Sequence, residues 1–298
     1  MFKSTNKLFF FILLSISISC STKDGVNYRN KSINESFYDI SYGFGHWEHP
    51  NYKEGFSFHG NHRVVVELDN ISNEIHQVII PWRRRDELPH TKEVIIVNAE
   101  SGHEITDKYL IDINNEYGHI LFKPQASSRR YFFYYLPHKS TGGYYPKVNY
   151  ISPKKNEIKE SDKEMTELLV DLSSVENARV IKFESIDEFN SFFPMEVISS
   201  EDELDRFISK KKKEFYLFPE YRDHPIKMMD FLPLRWVSEE TEVNGLLDKV
   251  SKGEYYTFQV GFFSPFSEIN DIEIEFSDLI SKSNSIISKD NFTCFNKE

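Results

Sequence analysis

Short apolar-rich runs separated by polar turn residues recur along the first half of this chain. Residues 63–69, Arg-Val-Val-Val-Glu-Leu-Asp, predict a strand closed by the turn Asn70-Ile71-Ser72-Asn73. Residues 75–80 predict a second strand, which ends at Pro81. Residues 93–97 predict a third, followed by the turn signal at 98–102. Residues 119–122 and 130–136 complete the set. Strands this short, at roughly ten-residue spacing, predict an antiparallel β-sandwich over residues 37–150.

Residues 151–177 follow another rule. They are rich in Lys and Glu, lack Gly, and place Met165, Leu168, Leu169 and Leu172 at helical spacing. They predict a helical connector between domains. A second domain is expected over residues 178–298. It opens with a strand at 178–183. Ser200 and Glu203 then spell a capping box ahead of a short helix with Leu204, Phe207 and Ile208 on one face. Strands are expected at 214–218, stopped by Pro219, at 253–263, and at 271–276, where apolar and charged residues alternate. The expected fold is mainly β: two β-sandwich-like domains with a helical connector and one short inserted helix.

The N-terminus has its own pattern. Lys3 and Lys7 precede the apolar run 8–18, which ends in Ser17 and Ile18 and is followed by Ser19 and Cys20. The run is short of the roughly 20 apolar residues that span a bilayer. It reads as a signal peptide over residues 1–19. A cysteine after the cut resembles a bacterial lipoprotein signal, with the Cys20 thiol taking the lipid, although Ser17 stands where Leu is usual. Ordinary secretion with Cys20 incidental is the competing reading. Residues 20–36 are polar and read as a flexible tether. The chain is thus expected to be exported and lipid-anchored to the bacterial cell envelope, at the outer membrane or cell surface.

Composition narrows the partners. Loss of Lys3 and Lys7 with the leader leaves 34 basic against 47 acidic residues, a net charge of −13. Such a surface repels phosphate backbones, which argues against a nucleic-acid partner. Cys20 and Cys294 are the two cysteines. With Cys20 acylated there is no disulfide framework, so a core must stabilise the fold. Aromatic residues make up 15% of the chain, which suits strands and would also suit a sugar-binding surface.

Several words occur in a shared order. They include Gly60-Asn61-His62-Arg63, Ile80-Pro81-Trp82-Arg83-Arg84-Arg85-Asp86 and Tyr134-Tyr135-Leu136-Pro137. Later come Phe189-Asn190-Ser191-Phe192-Phe193-Pro194-Met195, Leu217-Phe218-Pro219-Glu220-Tyr221-Arg222 and Leu232-Pro233-Leu234-Arg235-Trp236. From about residue 40 onward the chain resembles the N-terminal region of glycoside hydrolase family 123-like proteins of Bacteroidetes. The resemblance implies a β-sandwich region in front of a (β/α)-barrel that removes terminal N-acetylgalactosamine by substrate-assisted catalysis, using an Asp-Glu pair. A barrel takes roughly 250 residues. After Asp278-Leu279 the chain has 19. The expectation is therefore a non-catalytic front end, truncated or split from its barrel, that supports or orients that barrel.

Each group that could carry chemistry also has a plainer role. The acid pairs Asp86-Glu87, Asp187-Glu188 and Asp202-Glu203 do not map onto the barrel pair, and the arginines beside Asp86 would depress a general acid. No catalytic residue is assigned. Trp82, Arg83 and Arg84 follow a strand and could form a sugar platform, an indole face with guanidinium donors, or an Arg–Asp network pinning a loop. The loop residues Trp47, Tyr144 and Tyr145 could also stack on sugars. A glycan-binding surface lipoprotein without catalysis is thus the alternative to the scaffold. It predicts exposed aromatics in one concave patch, whereas the scaffold predicts packed rings and a bare apolar surface. His46, His49, His59 and His62 fall within 17 residues, but no cysteine is near and no zinc spacing is met, so no metal is assigned. No cofactor motif is present.

Overall fold

The computed structural model describes residues 40–47, 57–141, 144–145, 147–154, 171–238 and 245–295. Cys20, the leader and most of the expected connector lie outside the described residues. The fold is mainly β and divides into two compact units, one running to Ile198 and one starting at Ser199.

The first unit contains β1 (Ser41–Phe44), β2 (Ser57–Phe58), β3 (His62–Glu67), β4 (His76–Ile80), β5 (Ile95–Asn98), β6 (Glu104–Ile105) and β7 (Lys108–Ile113). It continues with β8 (Gly118–Phe122), β9 (Arg130–Tyr134), β10 (His138–Thr141), β11 (Lys147–Tyr150), β12 (Glu176–Asn177) and β13 (Arg179–Ser185). A six-stranded sheet has the order β1-β13-β3-β9-β5-β6, and a four-stranded sheet the order β12-β4-β8-β7. Strands β11, β10 and β2 form a third, three-stranded sheet.

Period-two alternation explains the core. Val64, Val66 and Leu68 from the β3 stretch are fully buried, with Tyr131 and Phe133 of β9 beside them. Val78, Ile80, Ile120 and Phe122 belong to the same cluster from β4 and β8. Phe122 meets Phe133 edge to face at 5.2 Å, a contact from one sheet to the other. Each such side chain contributes roughly 1.5–3 kcal/mol through burial. The outer face of the four-stranded sheet is covered by Leu172 and Val175, which pack on Ile75 and Leu121. Gln77 donates there to the carbonyls of Leu172 and Val175, at 2.9 and 3.1 Å.

Residues 176–185 correct the expected domain boundary. β12 runs parallel to β4 in one sheet, and β13 pairs with β3 and β1 in the other. The stretch crosses from sheet to sheet at Ala178 and buries Phe183 in the shared core. The strand expected to open the second domain therefore closes the first. Its alternation reports a half-buried strand but not which sheet receives it. Two parallel pairings, β1 with β13 and β12 with β4, also depart from the expected antiparallel sandwich.

The second unit holds α1 (Glu201–Lys211), β14 (Tyr216–Tyr221), α2 (Leu234–Val237), β15 (Phe258–Phe263), β16 (Leu279–Ile280) and β17 (Ile286–Ile287). The capping box forms as the spacing predicts: Ser200 Oγ accepts from the Glu203 N–H at 3.2 Å, and Glu203 accepts from the Ser200 N–H at 2.7 Å. β14 and β15 pair antiparallel, and β14 runs through Pro219 rather than stopping there. A two-stranded ladder leaves each strand an open edge, where a missing N–H costs no bond. Its described strands form two such ladders, and the alternating stretch 271–276 has a single bridge residue, Glu273. The packed sheets of a sandwich are not among the described residues here.

Candidate functional site

The loop after β4 carries the densest cluster of sequence-predicted residues. Trp82 is 4% exposed; its indole N–H donates to the Asn114 carbonyl at 2.8 Å, and its ring lies 5.5 Å from that of Tyr135. Arg83 is 2% exposed, with a left-handed backbone (φ 48°), and the backbone N–H of Ile198 donates to its carbonyl at 3.2 Å. Asn115 stitches the loop by donating to the carbonyls of Arg84 and Asp86, both at 2.9 Å.

Arg84 grips Asp86 with two guanidinium nitrogens, Nε on Oδ1 and Nη2 on Oδ2 at 2.8 Å. Its guanidinium lies over the rings of Trp82 and Tyr135, at 4.9 and 5.4 Å. Lys92 Nζ adds a bond to Asp86 Oδ2 at 2.6 Å and lies 4.9 Å from the Tyr150 ring. Burial alone would raise the Asp86 carboxyl. The hydrogen bonds and charges of Arg84 and Lys92 outweigh it and hold Asp86 below the usual carboxylate range. Asp86 is therefore a fixed anion and no proton donor near neutral pH. Of the two readings of this loop, the buried network is the one the geometry matches. An indole this enclosed presents no face to a sugar, which corrects the platform expectation for Trp82, Arg83 and Arg84.

A second cluster sits on the outer face of the six-stranded sheet. Arg63 Nε donates to Glu184 Oε2 at 2.8 Å, and Nη1 donates to the Tyr134 hydroxyl at 2.9 Å. The guanidinium lies 3.6 Å from the Phe132 ring centre and 4.7 Å from that of Trp47. Lys182 pairs with the other Glu184 oxygen at 3.0 Å. Trp47 is half-buried, and its N–H donates to the Gly60 carbonyl at 3.1 Å. Sequence reasoning did not single out Arg63 as a site residue. The available signal was a cation at an outward position of a strand whose neighbours are valines.

Of the four histidines, His59 and His62 are each engaged by other residues. His59 packs against the Tyr134 ring, and His62 Nε2 is 2.7 Å from the Asn190 carbonyl with its ring on Phe192. His49 lies outside the described residues. Among the described residues no group of three or more His, Cys, Asp or Glu could hold a metal. An open groove is lined by His90, Leu110, Ile111, Asp112, Pro153 and Lys154. Its carboxylate, Asp112, accepts from the Tyr117 hydroxyl at 2.6 Å. Burial and that bond push the hydroxyl up to about 12. No second carboxylate lines this groove, so it cannot supply a facing acid pair.

Tyr144 and Tyr145 stand apart from these clusters. They lie between β10 and β11, are 90% and 83% exposed, and contact each other edge to face at 5.0 Å.

No curated protein and no solved structure matches the chain. One family model does. It spans β2 through β13, so its end coincides with the strand that closes the first unit. Residues 56–186 resemble the family described as glycoside hydrolase 123, N-terminal domain, and the region holding Arg63, Trp82 and Asp86 is on that match associated with glycoside hydrolases.

Proposed function

We propose that this chain is the lipid-anchored, non-catalytic N-terminal region of a glycoside hydrolase family 123-like protein, supporting or orienting a hexosaminidase-type catalytic domain that degrades glycans. The match over residues 56–186 carries the reading. Two observations support it. Trp82, Arg84 and Asp86 are engaged in one buried network and offer no acid–base pair. The second unit leaves Leu247, Phe266, Ile280 and Ile286 in solvent, apolar surface that suits an adjoining domain. The leader pattern ahead of Cys20 supports export and anchoring.

The test mixes the purified chain with a separately expressed family 123 catalytic barrel. Association is followed by analytical ultracentrifugation and hydrolysis with a chromogenic hexosaminide. Association, with hydrolysis confined to the barrel, is expected. Hydrolysis by this chain alone, or no association, overturns the reading.

A further inference from the structure

We propose that the Tyr144–Tyr145 pair between β10 and β11 is a glycan-binding corner that takes one terminal pyranose ring. Tyr144 and Tyr145 are 90% and 83% exposed, unusual for two adjacent large rings. Their planes meet at 83°, with centres 5.0 Å apart. One ring turns its edge to the other and keeps its own faces open. A pyranose can lay its C–H face on one tyrosine and meet the second with its rim, while the phenol hydroxyls reach ring oxygens. A flat polymer surface needs coplanar rings, which this geometry does not supply.

The strands on either side of the pair form a ladder of their own. β10 and β11 pair over four positions, from His138 opposite Tyr150 to Thr141 opposite Lys147. Asn149 donates across the ladder to Thr141 Oγ1 at 3.1 Å. At the base, Lys92 ties Tyr150 to the Asp86 network. The charge pattern also sets this stretch apart. Residues 137–154 contain Lys139, Lys147 and Lys154 and no acid, in a chain of net charge −11. A glycan end, neutral or carrying anionic groups, therefore meets no repulsion here.

The choice of a glycan as occupant rests on the proposal of a hydrolase-associated region. The experiment uses the whole mature chain and a panel of end-labelled soluble oligosaccharides ending in hexose or N-acetylhexosamine. Insoluble cellulose and anionic phospholipid vesicles are run beside them. Retention of at least one oligosaccharide is expected, weakened about tenfold by Tyr144→Ala or Tyr145→Ala and less by the Phe substitutions, which keep the ring face and lose the hydroxyl. Circular dichroism checks the fold of each variant. No oligosaccharide retained, equal retention by the double Ala variant, or tyrosine-dependent binding confined to cellulose or to vesicles overturns the proposal. Association with the catalytic barrel is measured on the same variants and is expected to be unchanged. Glycan retention without barrel association would sink the support role and leave the corner standing.

Discussion

Gly118 lies against the indole of Trp82 so closely that a Cβ on that glycine would come 2.3 Å from ring atom Cη2. The second unit repeats the device: a Cβ on Gly261 would come 2.4 Å from Cη2 of Trp236. In both, a strand glycine makes room for a buried tryptophan pinned by its N–H, Trp82 to Asn114 and Trp236 to Glu220 Oε1. Neither indole can retreat without breaking that bond.

Gly118→Ala and Gly261→Ala are each expected to cost about 1–3 kcal/mol, the range for overpacking a tight core. Urea unfolding followed by tryptophan fluorescence measures it. A loss under 0.5 kcal/mol, roughly the scale of neutral surface changes, would show that the rings can shift.

Arg63 and Glu184 form a buried ion pair, each side chain 10% exposed. Removing Arg63 leaves the buried Glu184 carboxylate with Lys182 as its remaining cation and the Tyr134 hydroxyl without its donor, so Arg63→Ala is expected to cost about 2–3 kcal/mol, below the range for a wholly unpaired buried charge. Arg63→Lys keeps the charge but not the fork that reaches both Glu184 and Tyr134, and should also destabilise. Thermal unfolding of the two variants decides this; a wild-type midpoint for Arg63→Lys would mean that charge alone suffices.

Stability of the first unit should fall in two steps on acidification. Burial lowers the His62 imidazole from its ordinary 6.5, with Asn190, Glu196 and Asp187 opposing only in part. The unfolded chain then binds the proton first, so this stability is complete above 6.5 and is lost as pH falls through the depressed value. Asp86 is depressed below 3.8. Its contribution is complete above 3.8 and disappears as pH falls through its lower folded value. Urea titrations between pH 8 and pH 3 read both limbs. His62→Gln should flatten the first limb and Asp86→Asn the second; unchanged profiles in both variants would refute the assignment.

Cys20→Ala is expected to release the mature protein from the membrane fraction and to abolish incorporation of a clickable fatty acid in a bacterial host. Persistent labelling of the variant would mean that the lipid sits elsewhere.

Several elements were legible in the sequence because their information is local. The short apolar runs at 63–69, 75–80, 119–122 and 130–136, bounded by turn residues, located β3, β4, β8 and β9 to within a few residues. The Ser200–Glu203 capping box marked the start of α1, since both bonds lie inside one turn. The Arg–Asp network was also readable as an option, because Arg84 and Asp86 are two residues apart.

What tertiary structure alone decided was which partner each local pattern meets. β13 and 271–276 both alternate, yet one became a central strand and the other has a single bridge residue. Alternation fixes which side chains share a face, whereas pairing depends on chain brought in from far away. Trp82 and Tyr144 both lie in loops that follow a strand, and only folding buried one against Tyr135 and left the other in solvent. The Arg63–Glu184 pair joins residues 121 positions apart. No spacing rule along the chain can announce such a contact, because it exists only once β13 has docked beside β3.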